Sequence, residues 1–428
     1  MTLFSNISRY GEQLGASPRA PIQVLLAIYV FSLATTGMTA VMNIAFWLTV
    51  LIFFWQLLSK REPWAIVAGP IPYAMLALVG VFLLSLAANP AWLSNNLSEF
   101  WKDHLRNLLV FLIALGSVRS MRALRPLLLA AVAGFTLRAL LLLGLYWGDI
   151  QALLPFRKGF ALDATFFFTI TAALVLFDQG LSRRIRLLLG GALLIQAVPL
   201  VLHGSRTPLL AIAAGLALAA VLGRYWRLLL AGVLAMVIGL TGMAQIRPEL
   251  LVRYASTFQG DTYQQDGSVL ERQGIWFVTA SLIRERPLLG YGPGWRKLAP
   301  LARSDGYVEK LAASTDSRMV LAHAYFQDKG YGKANPHNLY LQVAFETGLL
   351  GLMVYLSFLA CTLWCAMRLW RTSVQNNTSL SLAMIALLVC YVITGFANGL
   401  WAGSAMLLLM AAVAANQYRA MHDADGTV

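Results

Sequence analysis

Long runs of apolar residues recur along almost the whole chain, and their lengths predict membrane-spanning helices. A helix needs about 20 predominantly apolar residues to cross the hydrocarbon core of a bilayer. The runs that reach or approach this length predict twelve spans, at residues 21–36, 39–58, 64–88, 103–118, 125–147, 161–178, 186–203, 207–223, 228–244, 338–367, 379–397 and 401–418. The pattern therefore predicts an all-α polytopic membrane protein.

The composition agrees with this fold class and excludes two others. Of the 428 residues, 59% are hydrophobic and 12% are charged, whereas soluble domains are about 45–50% apolar and about 25% charged. A disordered chain is also excluded, because such chains are poor in apolar residues and rich in charge. The net charge of +14 could suggest a nucleic-acid partner. Most of the cations, however, lie at span ends or in one long loop, so we expect no nucleic-acid partner.

The lysines and arginines of the short connections predict the orientation of the bundle. If the N-terminus is cytoplasmic, fifteen of them lie in cytoplasmic segments and five in external ones. Cytoplasmic loops carry an excess of these residues. Both termini are therefore expected to be cytoplasmic.

One connection, residues 245–336, is much longer than the others and is external in this orientation. The expected organisation is a membrane bundle of nine spans (1–244), an external loop domain (245–336), a bundle of three spans (337–418) and a cytoplasmic tail (419–428). Within the loop, a helical pattern beginning near Ser268 should stop at Pro287. The glycine-rich sequence "LLGYGPGW" that follows predicts a turn.

A first group of candidate site residues lies in "LHGSRTP", the short connection between spans seven and eight. Arg206 is the central residue, because a planar guanidinium can bind two phosphate oxygens at once, and His203 lies beside it. An interfacial arginine can also extend toward lipid headgroups. The sequence alone leaves both interpretations open.

Two further candidates lie in and just after the loop. Arg272 falls in the first turns of the predicted loop helix, where a charged residue is commonly solvated. His337 follows a proline at the start of span ten, and a neutral imidazole there can accept a proton near pH 7. It could instead be an anchoring or packing residue. Glu346 lies about half a turn away from it on an unbroken helix, so we do not expect Glu346 to orient His337.

Other features are weaker or absent. Arg138 lies within span five, and Arg157 and Lys158 form a basic external turn that could meet an anionic headgroup. The three cysteines lie in apolar runs, and no His, Cys, Asp or Glu spacing typical of a metal site occurs near them. The sequence has no phosphate-binding loop or dinucleotide fingerprint. We therefore expect no metal, cofactor or nucleotide.

Three motifs in this topology resemble the O-antigen ligase family of polytopic bacterial glycosyltransferases. They are "HNLYLQVAFETGLLG" from His337, "GSRT" around Arg206, and Arg272 followed by Trp276 and "PLLGYGPG". The resemblance implies a membrane glycosyltransferase of the GT-C type in the inner membrane, with its active site facing the periplasm. It implies transfer of a preassembled O-antigen glycan from undecaprenyl pyrophosphate to lipid A–core oligosaccharide, without metal or ATP.

The residues can be assigned roles in this chemistry. Arg206 and Arg272 would stabilise the pyrophosphate leaving group, with His203, Arg138, Arg157 and Lys158 as further donor-binding candidates. His337 would be the general base for the acceptor hydroxyl, and a single inverting displacement is favoured. The same motifs occur in O-antigen polymerases and protein O-oligosaccharyltransferases, which remain alternatives. A lipid-linked glycan transporter is a further alternative, but it would need charged residues along a path through several spans.

Overall fold

The structure, a computed structural model, is helical throughout the residues it describes. These are residues 19–59, 68–148, 150–157, 159–227, 267–372, 375–398 and 404–424, with single positions between 229 and 252. No strand occurs among them. The helices are α1 (Ala20–Thr35), α2 (Thr39–Leu58), α3 (Pro70–Ala87), α4 (Leu93–Glu99), α5 (Arg106–Ser117), α6 (Met121–Gly148), α7 (Leu154–Arg157), α8 (Phe160–Phe177), α9 (Arg183–Leu202), α10 (Arg206–Leu222), α11 (Gly267–Glu285), α12 (Leu298–Ser304), α13 (Tyr307–Ala312), α14 (Ser317–Gln327), α15 (Leu339–Arg371), α16 (Gln375–Gly395) and α17 (Ser404–Ala424).

Seven of the described helices are long and apolar enough to cross a membrane, namely α2, α3, α6, α8, α9, α15 and α16. The chain is thus a helical polytopic membrane protein. Helices α1 and α10 are apolar but shorter, and α17 corresponds to the predicted last span. The predicted span at 228–244 falls mostly outside the described residues, so the count of twelve stays a prediction.

The predicted span at 103–118 differs most from the structure. Its regular part, α5, has only 12 residues, which at 1.5 Å per residue cover about 18 Å of the roughly 30 Å hydrocarbon core. It continues backwards into a π-helical segment, Phe100–Leu105, and then into α4. Within this segment Asp103 binds Arg296 of the loop domain and His104 binds Glu346 of α15.

The bundle is held by close packing of its apolar helices. Helix α1 packs on α2 and α6, α16 packs on α8 and α10, α15 on α3, and α17 on α5. The core is almost entirely aliphatic and aromatic. Helix α9 instead exposes Leu187, Leu188 and Leu194, each about two-thirds accessible or more, as expected for a lipid-facing surface.

The loop domain has its own apolar core and confirms the predicted loop helix. Helix α11 ends at Glu285, two residues before Pro287, and packs on α14. Ile275, Val278 and Leu282 of α11 are fully buried together with Phe326 of α14. The predicted glycine-rich turn follows α11, and its Gly290, Gly292 and Gly294 all have positive φ.

Helix α15 breaks at Gly348, and the glycine-rich turn docks into the break. Gly348 has φ 69° and ψ −172°, a region open almost only to glycine. The Leu349 amide donates to the Pro287 carbonyl at 2.7 Å, and the amides of Tyr291 and Gly292 donate at 2.9 Å to the carbonyls of Phe345 and Glu346. Backbone hydrogen bonds therefore fasten the loop domain to the bundle.

Candidate active site

His337 lies at the junction between the loop domain and α15, in a strained backbone conformation. Its φ is +51°, a value few non-glycine residues adopt. The Asn335 side chain accepts a hydrogen bond from the His337 amide at 2.7 Å, and the Asn338 side chain caps α15 by accepting from the amides of Tyr340 and Leu341 at 3.0 Å. Two asparagines thus hold the turn that presents the imidazole.

The surroundings of His337 favour its neutral form. Burial, and then the positive charges of Arg272 and Lys329, lower the pKa of His337 from its ordinary 6.5 to about 4. Its Nε2 lies 3.4 Å from the Tyr325 hydroxyl, a long contact. That hydroxyl also accepts from the Asn335 amide at 2.8 Å. The imidazole is therefore unprotonated at neutral pH and able to accept a proton.

In the structure the positive charge of Arg272 lies near enough to His337 to act on its ring, and a shared role in one site stays a prediction. Arg272 lies on α11, two residues before the fully buried core position Gly274. A side chain at Gly274 would meet the Arg318 carbonyl at 2.3 Å, so α11 and α14 are in close contact there. This packing fixes α11 against α14, which also carries Tyr325. The helix that carries Arg272 therefore packs on the helix whose Tyr325 contacts the ring of His337.

Arg206 is the first residue of α10, and the packing of α10 on α16 places it at the same end of the bundle. Opposite Gly215 lies the carbonyl of Ala386, and one turn earlier Cys390 Sγ lies 3.2 Å from the Ala211 carbonyl. The two helices run antiparallel, so the same register places Arg206, at the start of α10, level with Gly395 near the end of α16. A side chain at Gly395 would meet the ring of Tyr340, three residues after His337, at 3.3 Å.

His203 ends α9, beside Arg206. Its Nδ1 lies 2.8 Å from the Ser205 hydroxyl, and Ser205 is the residue immediately before α10. His203 and Arg206 are both half-buried. A contact of either residue with a donor stays a prediction.

The three weaker candidates for donor binding, Arg138, Arg157 and Lys158, lie in different surroundings. Arg138 is fully buried, and its guanidinium contacts Asp163 Oδ2 at 2.6 Å and the Phe156 carbonyl at 2.9 Å. These contacts give it a structural role between α6 and α8, because a buried arginine needs a partner of opposite charge. Arg157 is exposed and stacks over Tyr146 at 5.9 Å. Lys158 lies outside the described residues. Donor binding by all three stays a prediction.

A buried polar cluster beneath the glycine-rich turn was missed by sequence reasoning. Glu346 is fully buried and contacts His104 Nε2 at 2.9 Å and Gln342 Nε2 at 2.8 Å. Lys297 donates at 2.5 Å to Asn96 and at 2.9 and 2.8 Å to the carbonyls of Gly292 and Pro293. Glu346 thus pairs with His104 and not with His337, in agreement with its predicted position on the helix.

A second ion-pair group surrounds this cluster at the surface of the junction. Arg296 of the loop domain binds Glu99 and also Asp103, the latter at 2.7 Å. Tyr331 donates to Glu99 at 3.2 Å. Burial lowers the pKa of Lys297 to about 7, although the Glu346 carboxylate opposes this. These contacts make the loop domain and the 96–104 segment one unit.

One signal in the sequence could have indicated the cluster. A glutamate in an apolar run must find a partner, and His104 lies at the start of predicted span four. The pair spans 242 positions of the chain, so no local pattern connects the two residues. Among the described residues, no group of three His, Cys, Asp or Glu side chains is arranged to hold a metal ion.

The chain was then compared with known proteins. A family model described as O-antigen ligase matches residues 191–356. A search of curated proteins finds no match. The matched segment contains His203, Arg206, Arg272, His337 and Glu346. It does not contain Arg138, Arg157, Lys158 or His104.

Proposed function

We propose that this chain transfers a preassembled glycan from undecaprenyl pyrophosphate to lipid A–core oligosaccharide. The premise is the O-antigen ligase family domain that it carries at residues 191–356. The reaction would occur at the periplasmic face of the bacterial inner membrane, in a twelve-span bundle of the GT-C type. The observation that carries the proposal is the placement of Arg272 beside the neutral His337, within the matched segment.

The arginines would act on the donor. Cleavage of the glycosidic bond leaves negative charge on a lipid pyrophosphate, and preorganised guanidinium groups stabilise that charge better than water does. Arg272 is held by the packing of α11 on α14, and Arg206 by the packing of α10 on α16. The backbone of each arginine is therefore held in place before the donor binds, which would favour such stabilisation.

His337 would take the proton of the acceptor hydroxyl. Its neutral form is present before the reaction, because the pKa of His337 is about 4. Binding of a pyrophosphate dianion beside Arg272 would offset the positive charge there and raise the pKa of His337 toward neutrality. The base would thus become stronger when donor is bound. Direct attack by the activated hydroxyl would invert the anomeric configuration.

Three other functions fit parts of the observations. An O-antigen polymerase or a protein O-oligosaccharyltransferase would use the same donor chemistry with a different acceptor. A lipid-linked glycan transporter would need no base and no bond cleavage. The neutral histidine beside an arginine favours an enzyme, since transport alone does not require a proton acceptor.

In vitro transfer with a defined donor and acceptor lipid tests the proposal. We expect His337→Ala to lower the rate about 10²–10⁴-fold and Arg272→Gln about 10²–10³-fold, by analogy with loss of one oxyanion donor. The matched controls are Arg284→Gln, an exposed arginine of the same helix α11, and His323→Ala on α14.

The products separate the alternatives. One glycan added to the core lipid indicates a ligase, a lengthened lipid-linked glycan indicates a polymerase, and glycosylated protein indicates an oligosaccharyltransferase. Full activity of either site variant, or no new glycosidic product with any acceptor, would contradict the proposal.

A further inference from the structure

A groove at the start of α2 and α5 carries positive charge outside the candidate active site. It has a volume of about 250 Å³ and is lined by Asn43, Phe46, Trp47, Trp101, Lys102 and Arg106, among others. A water takes roughly 30 Å³ in the liquid, so the groove has room for a group much larger than one water. It lies at the loop-domain end of the bundle, because Asp103 of the same segment binds Arg296.

The π-helical segment Phe100–Leu105 gives this groove its shape. Phe100 and His104 point into the protein and are buried, whereas Trp101 and Lys102 are exposed. π-Helical turns are rare and are frequent at functional sites. Here the turn separates the charges: His104 and Asp103 bind the bundle and the loop domain, while Lys102 and Arg106 line the groove.

Arg106 is held in place by groups that leave its charge unneutralised. Its guanidinium donates to Asn43 Oδ1 at 2.8 Å, is hydrogen bonded to the Tyr29 side chain, and lies 4.8 Å from the centre of the Phe46 ring. Among the residues that the structure describes, none is hydrogen bonded to its buried Nε. Asp103, a nearby acid in the chain, is bound to Arg296. Since a guanidinium has five N–H donors, Arg106 can still bind acceptor oxygens.

Two stacked and partly exposed tryptophans line the groove. The rings of Trp47 and Trp101 stack at 5.7 Å with an interplanar angle of 19°. They remain 40% and 54% exposed. Exposed tryptophans of membrane proteins concentrate at the two membrane–water interfaces. The exposed Trp101 beside Lys102 therefore favours a position of this part of the groove near one of the two interfaces.

We propose that this groove binds the phosphate group of a membrane lipid. Arg106 would bind a phosphate oxygen with the guanidinium N–H groups not committed to Asn43 and Tyr29. Lys102 would add a mobile point charge, and the tryptophans would cover the glycerol or sugar next to the phosphate. The ligand could be a bulk anionic phospholipid or a phosphorylated glycolipid acceptor. The site rests on its own geometry and does not depend on the proposed transfer reaction.

Native mass spectrometry of the delipidated protein in detergent tests the site without any glycan donor. The probes are phosphatidylglycerol, diacylglycerol with the same acyl chains, and a phosphorylated lipid A. We expect phosphatidylglycerol to bind more tightly than diacylglycerol. Loss of a charge-assisted contact, about 1.5–3 kcal/mol, should make Lys102→Gln and Arg106→Gln bind it roughly ten- to a hundredfold more weakly.

Controls separate binding from folding. Lys102 is exposed, so Lys102→Gln should leave the unfolding temperature unchanged even if Arg106→Gln lowers it. Arg184→Gln removes an equally exposed cation from the opposite end of the bundle and should bind lipid as the wild type does. Equal binding of diacylglycerol and phosphatidylglycerol, or undiminished binding by Lys102→Gln, would overturn the proposal. If lipid A displaces phosphatidylglycerol, the site belongs to the acceptor; if it does not, the site holds a bulk phospholipid.

Discussion

The protonation of His337 can be measured directly, and its dependence on one neighbouring charge is the sharpest prediction of the structure. Burial, Arg272 and Lys329 together hold the pKa of His337 near 4. A difference between 6.5 and 4 corresponds to about 3 kcal/mol in favour of the neutral ring. At pH 5 the ring should therefore be about 90% neutral, against about 3% for an ordinary histidine.

Lys329→Met removes one of the two positive charges without touching the residues assigned to donor or acceptor. The pKa of His337 should then rise by up to about one pH unit and stay below 6.5. Burial is the largest cause of the lowered pKa, and this substitution leaves it unchanged. The matched control is Lys333→Met, an exposed lysine that is not among the causes of the lowered pKa.

The assay is the rate at which diethyl pyrocarbonate acylates His337 between pH 4.5 and 8, followed by peptide mass spectrometry. Only the neutral imidazole reacts. The wild-type rate should be nearly flat down to pH 5, and in Lys329→Met it should begin to fall at a higher pH. A wild-type midpoint near pH 6.5, or one that Lys329→Met leaves in place, would refute this account of the site.

Three further predictions concern the framework of the site. Gly348→Ala should lower the free energy of unfolding by at least the 1–3 kcal/mol typical of a forbidden backbone region, because its Cβ would lie 2.2 Å from the Leu288 carbonyl. Thermal unfolding measures this loss. The control is Gly80→Ala, because a Cβ at Gly80 meets open space. Lys297→Met should destabilise the protein. The difference in unfolding free energy between the wild type and this variant should widen by about 1.4 kcal/mol per pH unit from pH 7 to 10. In that range Lys297 of the wild type is protonated only in the unfolded state. A difference that does not depend on pH would contradict the lowered pKa. Arg138→Leu should lower the free energy of unfolding by about 3–5 kcal/mol, because the Asp163 carboxylate would lose its partner of opposite charge. If the double variant with Asp163→Leu recovers stability but not glycan transfer, Arg138 does contact the donor.

Local sequence patterns predicted the elements of the fold well, because each element satisfies its own physical requirement. An apolar run must be a helix in a bilayer, since no water is present there to hydrogen bond the backbone. The predicted span at 39–58 coincides with α2 (Thr39–Leu58), and that at 161–178 is displaced by one residue from α8 (Phe160–Phe177). Pro287 likewise fixes where α11 must stop, because it lacks an amide hydrogen and restricts the preceding residue.

The break at Gly348 could not be predicted in this way. The sequence around it is apolar and was part of a continuous predicted span at 338–367. The helix is broken because the turn from Pro287 to Gly294 supplies hydrogen bonds in place of the lost helical ones, and that turn is more than fifty positions earlier in the chain. A glycine within a helix pattern is compatible with such a break but does not require it.

The candidate site shows the same division. Arg272 and His337 became candidates by residue type and position, and their role stays a prediction. What brings them near each other is tertiary: α11 packs on α14, and Tyr325 of α14 is hydrogen bonded to Asn335 in the turn that carries His337. The His104–Glu346 pair was missed because each residue is unremarkable by itself. A buried carboxylate indicates that a partner exists, yet the partner's identity follows only from how α15 packs on α3 and on the π-helical segment.

The π-helical segment Phe100–Leu105 connects these observations. Its inner side holds His104 against Glu346, nine residues along α15 from His337, and its Asp103 binds Arg296 of the loop domain. Its outer side presents Lys102 to the groove proposed to bind a lipid phosphate. The contacts on the inner side and the exposed charge on the outer side are thus combined within six residues. One short segment therefore satisfies a buried carboxylate, forms an ion pair with the loop domain and presents a positive charge to the proposed lipid site.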